Sequence, residues 1–333
     1  MRFLAVYGTR PEYLKIKPLL DINSQLEIKT LHVKQHNDII DFGKPDLSIK
    51  VDKKCESRLN SIFSEIFLKT GDIFKDFDYV LVQGDTATVA ACAISAFNLG
   101  KKIIYLESGL RSFDLENPFP EEGYRQMISR IASVNLCPTS VSLKNLNDEK
   151  IGGDKFVVGN TSLDNLTKIK EKASYLNKVL ITLHRRENIP HLEEWFEHIQ
   201  KTAEKYPDIE FFYPLHPNEE IKEKAKKLQS VTKTGPMPHK DLINLMKDCK
   251  LIITDSGGIQ EEASFLNKKV IVCRKTTERP EGIESGHTTL CKDPASLAPI
   301  FDDLIFNFKI EKQCPYGDGS SASVIQSILS VLK

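Results

Sequence analysis

Short apolar runs alternate with amphipathic segments of helix length along almost the whole chain, and this alternation restricts the fold more than any other feature. The runs fall at residues 3–7, 28–33, 79–82, 103–106, 134–136, 156–158, 179–183, 209–213, 251–253 and 270–273. Helical periodicity occupies 56–69, 88–98, 123–133, 192–206, 218–228, 240–247 and 258–266. Continuous apolar strands separated by helices predict parallel sheets covered on both faces. The pattern runs twice, on either side of a polar stretch at 160–178, so the sequence predicts an α/β protein of two doubly wound, Rossmann-like domains. The expected division is 1–165 and 166–319, with a final helix over 320–333. A chain of 333 residues suits two domains better than one core.

In open parallel sheets a ligand binds beyond the carboxyl ends of the strands. Nearly every unusual polar cluster in this chain lies there. Gly8-Thr9-Arg10, Gln83-Gly84-Asp85 and Glu107-Ser108-Gly109 follow strands of the first half, while His184-Arg185-Arg186, His216 and Asp255-Ser256-Gly257-Gly258 follow strands of the second. The clusters of the two halves would face each other across a cleft between the domains, which is the expected active site.

Bulk properties narrow the ligand. Lys plus Arg and Asp plus Glu both number 46, so the chain lacks the basic excess of a nucleic-acid binder and must hold any anion locally. No apolar stretch approaches the ~20 residues that span a bilayer, and "MRFLAVYGTR" does not read as a secretory leader. Seven cysteines without C-x-x-C spacing argue against a zinc knuckle or a disulfide framework and fit a cytoplasmic protein.

"TDSGGIQEE" joins a buried run to a helix. Gly257 and Gly258 would let the backbone approach a ligand, and the free amides of a helix N-terminus attract phosphate. Ser256 adds a hydroxyl, and Glu262 could accept from a ribose hydroxyl. Alternatively the stretch is a plain turn with Ser256 as N-cap. It matches neither G-x-x-x-x-G-K-[ST] nor G-x-G-x-x-G, which weakens ATPase and nicotinamide readings. "HRREN" offers His184 and two arginines to anionic oxygens, or forms a solvated loop in which Glu187 pairs with Arg185 or Arg186. In "GTRPEYLKIKP", Thr9 suits an N-cap and Pro11 the first helical turn, placing Arg10 and Lys15 near that terminus. Asp85, Glu107 and Glu121 each sit at a strand end or helix start. Three carboxylates converging there could split their proton affinities and move a proton on and off a substrate.

Taken together, "GTRPEYLKIKPL", "QGDTAT", "ESGLRS", "PFPEEGYRQ", "GNTSLDNL", "HRREN", "TDSGGIQEEA" and "TTERPEGIESG" resemble, in order, the motifs of non-hydrolysing UDP-N-acetylglucosamine 2-epimerases. The resemblance implies a glycosyltransferase-B-like fold and a final helix returning to the first domain. It also implies a homodimer and interconversion of UDP-GlcNAc and UDP-ManNAc through anti elimination of UDP to 2-acetamidoglucal, with no cofactor or metal. Asp85, Glu107 and Glu121 match the family's catalytic carboxylates, with Asp85 and Glu121 expected as the proton-transfer pair. His184, Arg10, Ser256, Gly257 and Gly258 match groups that stabilise the leaving diphosphate. Glu262 matches the ribose ligand, and Lys15, Arg125 and His216 match polar cleft positions. Leu242 stands where an aromatic residue would flank the uracil. Gln35-His36 match a region linked to activation by a second UDP-GlcNAc, but the preceding glycine is missing. Rival expectations are a 2-epimerase of another UDP-sugar such as a diacetamido uronate, a hydrolysing epimerase, a UDP-sugar glycosyltransferase, and a binding protein without chemistry.

Overall fold

The computed structural model describes residues 1–22, 26–34, 44–52, 56–167 and 174–332. Gln35 and His36 lie outside them. The chain divides into two compact units, Met1–Thr167 with Gly317–Lys333, and Lys168–Tyr316.

The first unit contains β1 (Phe3–Tyr7), α1 (Arg10–Asp21), β2 (Ile28–Lys34), β3 (Leu47–Lys50), α2 (Arg58–Phe74), β4 (Tyr79–Gln83), α3 (Ala87–Asn98), β5 (Lys102–Leu106), α4 (Glu121–Ile131), β6 (Val134–Cys137), α5 (Ser140–Asp148) and β7 (Asp154–Val157). Its seven strands are ordered β3-β2-β1-β4-β5-β6-β7, and every pairing is parallel. β1 and β4 are buried at every position, as strands covered on both faces must be. Ile62, Ile66 and Phe74 of α2, with α3 and Ile128 of α4, cover one face. Ile16 and Leu19 of α1 cover the other, together with Ala322, Ile325 and Leu329 of the C-terminal helix Ser321–Val331. That helix is also tied by the Gln326 side-chain amide, which donates to Leu19 O at 3.1 Å.

The second unit contains β8 (Lys178–Thr182), α6 (Leu192–Lys205), β9 (Glu210–Pro214), α7 (Glu219–Lys224), β10 (Thr232–Thr234), α8 (His239–Asp248), β11 (Leu251–Thr254), α9 (Gly257–Phe265), β12 (Lys269–Cys273), α10 (Pro280–Glu284), β13 (Thr288–Cys291) and α11 (Leu297–Leu304). Its six parallel strands run β10-β9-β8-β11-β12-β13. Trp195, Phe196 and Ile199 of α6 pack with Leu297 and Phe301 of α11 on one face. Helices α8 and α9 lie on the other. Burying each such side chain contributes about 1.5–3 kcal/mol.

In both sheets the strand order reverses beside the first strand, between β1 and β4 and between β8 and β11. The loops after these strands open a crevice at each reversal, the usual ligand position in this architecture. "GTR" and "QGD" occupy it in the first unit. "HRREN" and "DSGG" occupy it in the second.

Candidate active site

In the first unit the end of β4 passes through Gly84, whose φ of +84° lies in the left-handed region that glycine tolerates, and delivers Asp85. Asp85 is held by Arg125 of α4: Nε reaches Asp85 Oδ2 at 2.8 Å and Nη2 reaches the same oxygen at 2.6 Å. The guanidinium is buried, and its Nη1 also donates to Glu122 Oε2 at 3.2 Å. Glu122, fully buried, accepts from Ser112 N at 2.9 Å and from the Gln126 amide at 3.0 Å. This fixes the segment that leads into α4.

Glu107 follows β5 with φ +66°, a conformation unusual for a non-glycine residue and frequent at functional sites. Its Oε2 accepts from the Gln83 side chain at 2.5 Å, and its Oε1 is bound by the Lys15 ammonium. The charges of Asp85 and Glu107, against those of Arg111 and Arg125, act on Tyr105 of β5. Its phenol is fully buried and held well above its ordinary pKa, first by burial and then by the Asp85 charge. Glu121 opens α4 and its Oε2 is buried. The nearby Tyr124 phenol is raised by burial and then by the Glu121 charge.

The turn carrying Arg10 is set by Glu12. Its Oε2 accepts from Gly8 N at 2.6 Å and Thr9 N at 3.0 Å, while Oε1 accepts from Thr86 Oγ1 at 2.7 Å. Glu12 therefore ties the loops after β1 and β4 together. Burial raises its carboxyl pKa even against these three donors. Arg10 itself begins α1 and is exposed.

In the second unit Asp255 organises the corresponding loops. Its Oδ2 accepts from His184 N at 3.0 Å, Arg185 N at 2.8 Å and the Asn188 side chain at 3.0 Å. Asn188 also donates to Cys273 O at 2.9 Å, so the "HRREN" loop is pinned from β11 and β12. The rings of His184 and His216 stack, with centroids 5.2 Å apart and planes 9° from parallel. Burial, and then the His184 charge, hold His216 below its ordinary pKa.

Ser256 is the N-cap of α9 by backbone geometry, but its side chain makes no cap hydrogen bond. The first intrahelical bond runs from Gln260 N to Ser256 O at 3.3 Å, so the amides of Gly257, Gly258 and Ile259 precede it. A Cβ placed on Gly258 would meet nothing within 4 Å, leaving that face open to a ligand. Glu262 Oε1 lies 2.8 Å from His239 Nε2 of α8. Leu242, half-buried, lies on the same helix as His239. Glu187 pairs with Arg274 at 3.3 Å rather than with its neighbours Arg185 and Arg186, because the loop turns it toward β12.

The sequence matches the family model described as UDP-N-acetylglucosamine 2-epimerase over residues 20–330. The chain belongs to the UDP-N-acetylglucosamine 2-epimerase family. A UDP-N-acetylglucosamine 2-epimerase of Bacillus subtilis (strain 168) is 34% identical, with 99% of this chain and 95% of the relative covered. The crystal structure of the UDP-GlcNAc 2-epimerase of Neisseria meningitidis bound to UDP-GlcNAc superposes with a TM-score of 0.90, at 32% identity and with 99% and 100% of the two chains covered. A MurG of Acinetobacter baumannii, 12% identical over 98% of this chain and 99% of its own, has a TM-score of 0.58 and shares the glycosyltransferase-B-like fold alone.

For an epimerase of this family the structure adds side chains that motif reading passed over. Gln83 and Glu12 sit inside "QGD" and "GTRPE", and Thr9-x-x-Glu12 carries the spacing of a capping box. Asp255 reads as a turn residue until its three donors are seen. Arg279 carries no local signal beyond its motif "TTERPEGIESG", and His239 lies in none of the motifs quoted above. Among the described residues, no cluster of His, Cys, Asp or Glu is arranged to hold a metal ion, and no helix is long and apolar enough to cross a membrane.

Proposed function

We propose that this chain interconverts UDP-GlcNAc and UDP-ManNAc. The observation that carries the reading is the placement of Asp85, held by Arg125, and of Glu107, held by Gln83 and Lys15, directly after the adjacent strands β4 and β5 at the carboxyl end of one sheet, in a chain of this family. The proton on C2 of the sugar is not activated by a ring carbonyl, so departure of the anomeric oxygen must lead. The C1–O bond breaks, UDP carries away the electron pair, a carboxylate takes the C2 proton, and the C–H electrons form the C1–C2 double bond of 2-acetamidoglucal. UDP then re-adds at C1 while a proton reaches the other face of C2.

Asp85 and Glu121 serve as the proton-transfer pair. Glu107, held by Lys15 and Gln83, supports them. Arg10, His184, Ser256 and the amides of Gly257 and Gly258 stabilise the leaving diphosphate. Each well-placed donor can be worth ~3–4 kcal/mol in the transition state. Glu262 and His216 complete the nucleotide site. Proton NMR of UDP-GlcNAc in heavy water tests the reading: deuterium at C2 with appearance of the manno epimer supports it. Free ManNAc, or turnover without exchange at C2, rejects it.

The protein acts as a homodimer in the cytoplasm. Support for the dimer is a set of exposed apolar side chains on the first unit: Phe67, Leu68, Phe97, Phe113, Leu115 and Phe119. The six cysteines among the described residues are free thiols, in keeping with a reducing compartment. Light scattering on the eluting protein measures its mass, and a monomer rejects the dimer.

A further inference from the structure

We infer that Cys273 and Cys291 form a peroxide-sensitive site, a pair of thiols that two-electron oxidation joins into a disulfide across β12 and β13. The two residues lie directly opposite each other in the parallel pairing of these strands. Neighbouring strands are about 4.8 Å apart, within the Cα separation of about 4.4–6.8 Å that a disulfide spans. Both side chains belong to one core cluster, with Trp195, Phe196, Leu297 and Phe301, so both leave the sheet on the same face. The two thiols hydrogen-bond to each other, and Cys291 Sγ donates onward to Asp293 O at 3.2 Å. Both are free thiols and fully buried.

A buried cysteine is ordinarily a small core residue. Cys92 lies within α3, Cys137 stands opposite Val157 of β7, and Cys249 follows α8. Burial pushes the Cys137 and Cys249 thiols up to about 12. Cys291 differs: the hydrogen bond from Cys273 draws it below the ordinary thiol value, while burial holds Cys273 well above. Cys291 is therefore the attacking sulfur and Cys273 the resolving one. The Cys291 sulfur attacks hydrogen peroxide, the O–O bond breaks, and the thiol proton leaves with the departing hydroxide as water. A sulfenic acid remains. The Cys273 sulfur attacks it, the S–O bond breaks as the S–S bond forms, and the second thiol proton leaves with the hydroxyl as a second water. Two thiols are oxidised and one peroxide is reduced. The oxidant enters at the sheet edge. β13 is an outer strand with Thr289 and Leu290 partly exposed, and such strands open locally. The bridge staples this edge to β12, and with it the intervening α10. In a reducing compartment such a bond is transient and reports the oxidant.

Peptide mapping of the full chain tests the inference. The reduced, folded protein is treated with hydrogen peroxide, remaining thiols are blocked with iodoacetamide, and trypsin is added without reductant. Trypsin releases Cys273 in residues 270–274 and Cys291 in residues 276–292, so the two thiols travel in separate peptides unless they are joined. The expected product is one linked species, lighter than the sum of its parts by two hydrogens and separated by dithiothreitol. The linked chain should also unfold at a higher urea concentration than the reduced chain, a rise absent from Cys291→Ser. Cys273→Ser keeps a hydrogen-bond donor and loses the resolving sulfur, so its Cys291 should stop at the sulfenic acid and be captured by dimedone. Peptides that both stay alkylated after peroxide, a Cys291 linked to any other cysteine, or a linked chain whose urea midpoint does not rise would overturn the inference. If a serine variant does not fold, the wild-type map and its urea midpoint decide alone.

Discussion

Arg125 grips a single oxygen of Asp85 with two nitrogens, Nε at 2.8 Å and Nη2 at 2.6 Å. The guanidinium balances the charge of Asp85 and fixes the direction in which its carboxylate is presented. Asp85→Asn should lower turnover by about 10²–10⁴-fold, the range for loss of a positioned acid or base, with UDP affinity unchanged by calorimetry. Arg125→Lys keeps the charge and loses the fork. It should lower kcat by about tenfold or more. If Asp85→Asn retains turnover, the carboxylate has been assigned the wrong task.

Asp255 is the second point of leverage. Asp255→Ala deprives two backbone amides and the Asn188 side chain of their acceptor. Hydrogen bonds to a charged group contribute about 1.5–3 kcal/mol each, so the variant should lose about 3 kcal/mol of stability or more in urea unfolding. Its UDP affinity should fall as the His184 loop loosens. An unchanged urea midpoint would remove Asp255 from this role.

The stacked histidines give a titration with a definite sign. Burial and the facing His184 hold His216 below its ordinary pKa, with Asp255 pulling weakly the other way. In wild type the His216 midpoint by NMR should fall below 6.5. His184→Gln removes a neighbouring positive charge and should raise that midpoint, burial remaining. A midpoint that drops, or stays put, contradicts the stacked arrangement.

Lys268, between α9 and β12, is buried with its ammonium 4.0 Å from the centroid of the Tyr175 ring. Burial lowers its pKa from 10.5 to about 8. Between about 8 and 10.5 the unfolded chain binds the proton that the folded chain has released, so this residue's contribution to stability rises with pH across that window. The stability of wild type minus that of Lys268→Met, followed by urea unfolding from about pH 7.5 to about pH 10.5, should therefore increase. A flat difference would show that the ammonium is not desolvated.

The strands that build both sheets could be read from apolar runs because a strand covered on both faces must be apolar throughout. Three strands escaped that reading: Leu47–Lys50, Thr232–Thr234 and Thr288–Cys291. Each is an outer strand of its sheet, partly exposed, and therefore mixed in composition. Helix α5 was hidden for a similar reason, since "SVSLKNLND" buries little besides Ser142 and Leu146. In the site, position after a strand was enough to single out Asp85, Glu107, His184 and Ser256. What holds them was not legible. Gln83, Asp255 and Arg279 act on residues 24, 71 and 18 positions away, as in Gln83–Glu107, Asp255–His184 and Arg279–Glu261. Gly257 shows the limit most clearly: a glycine at a helix start suggests a ligand, and only the folded chain reveals the Arg279 guanidinium lying against it.

The central claim is that the anomeric C–O bond breaks while a carboxylate of the first unit removes the C2 proton. UDP-GlcNAc labelled with oxygen-18 at the anomeric bridge tests it most directly. If UDP departs and returns, the label spreads from the bridge to the non-bridging oxygens of the β-phosphoryl group, in wild type and not in Asp85→Asn. The manno epimer formed with all of its label still in the bridge would contradict the account.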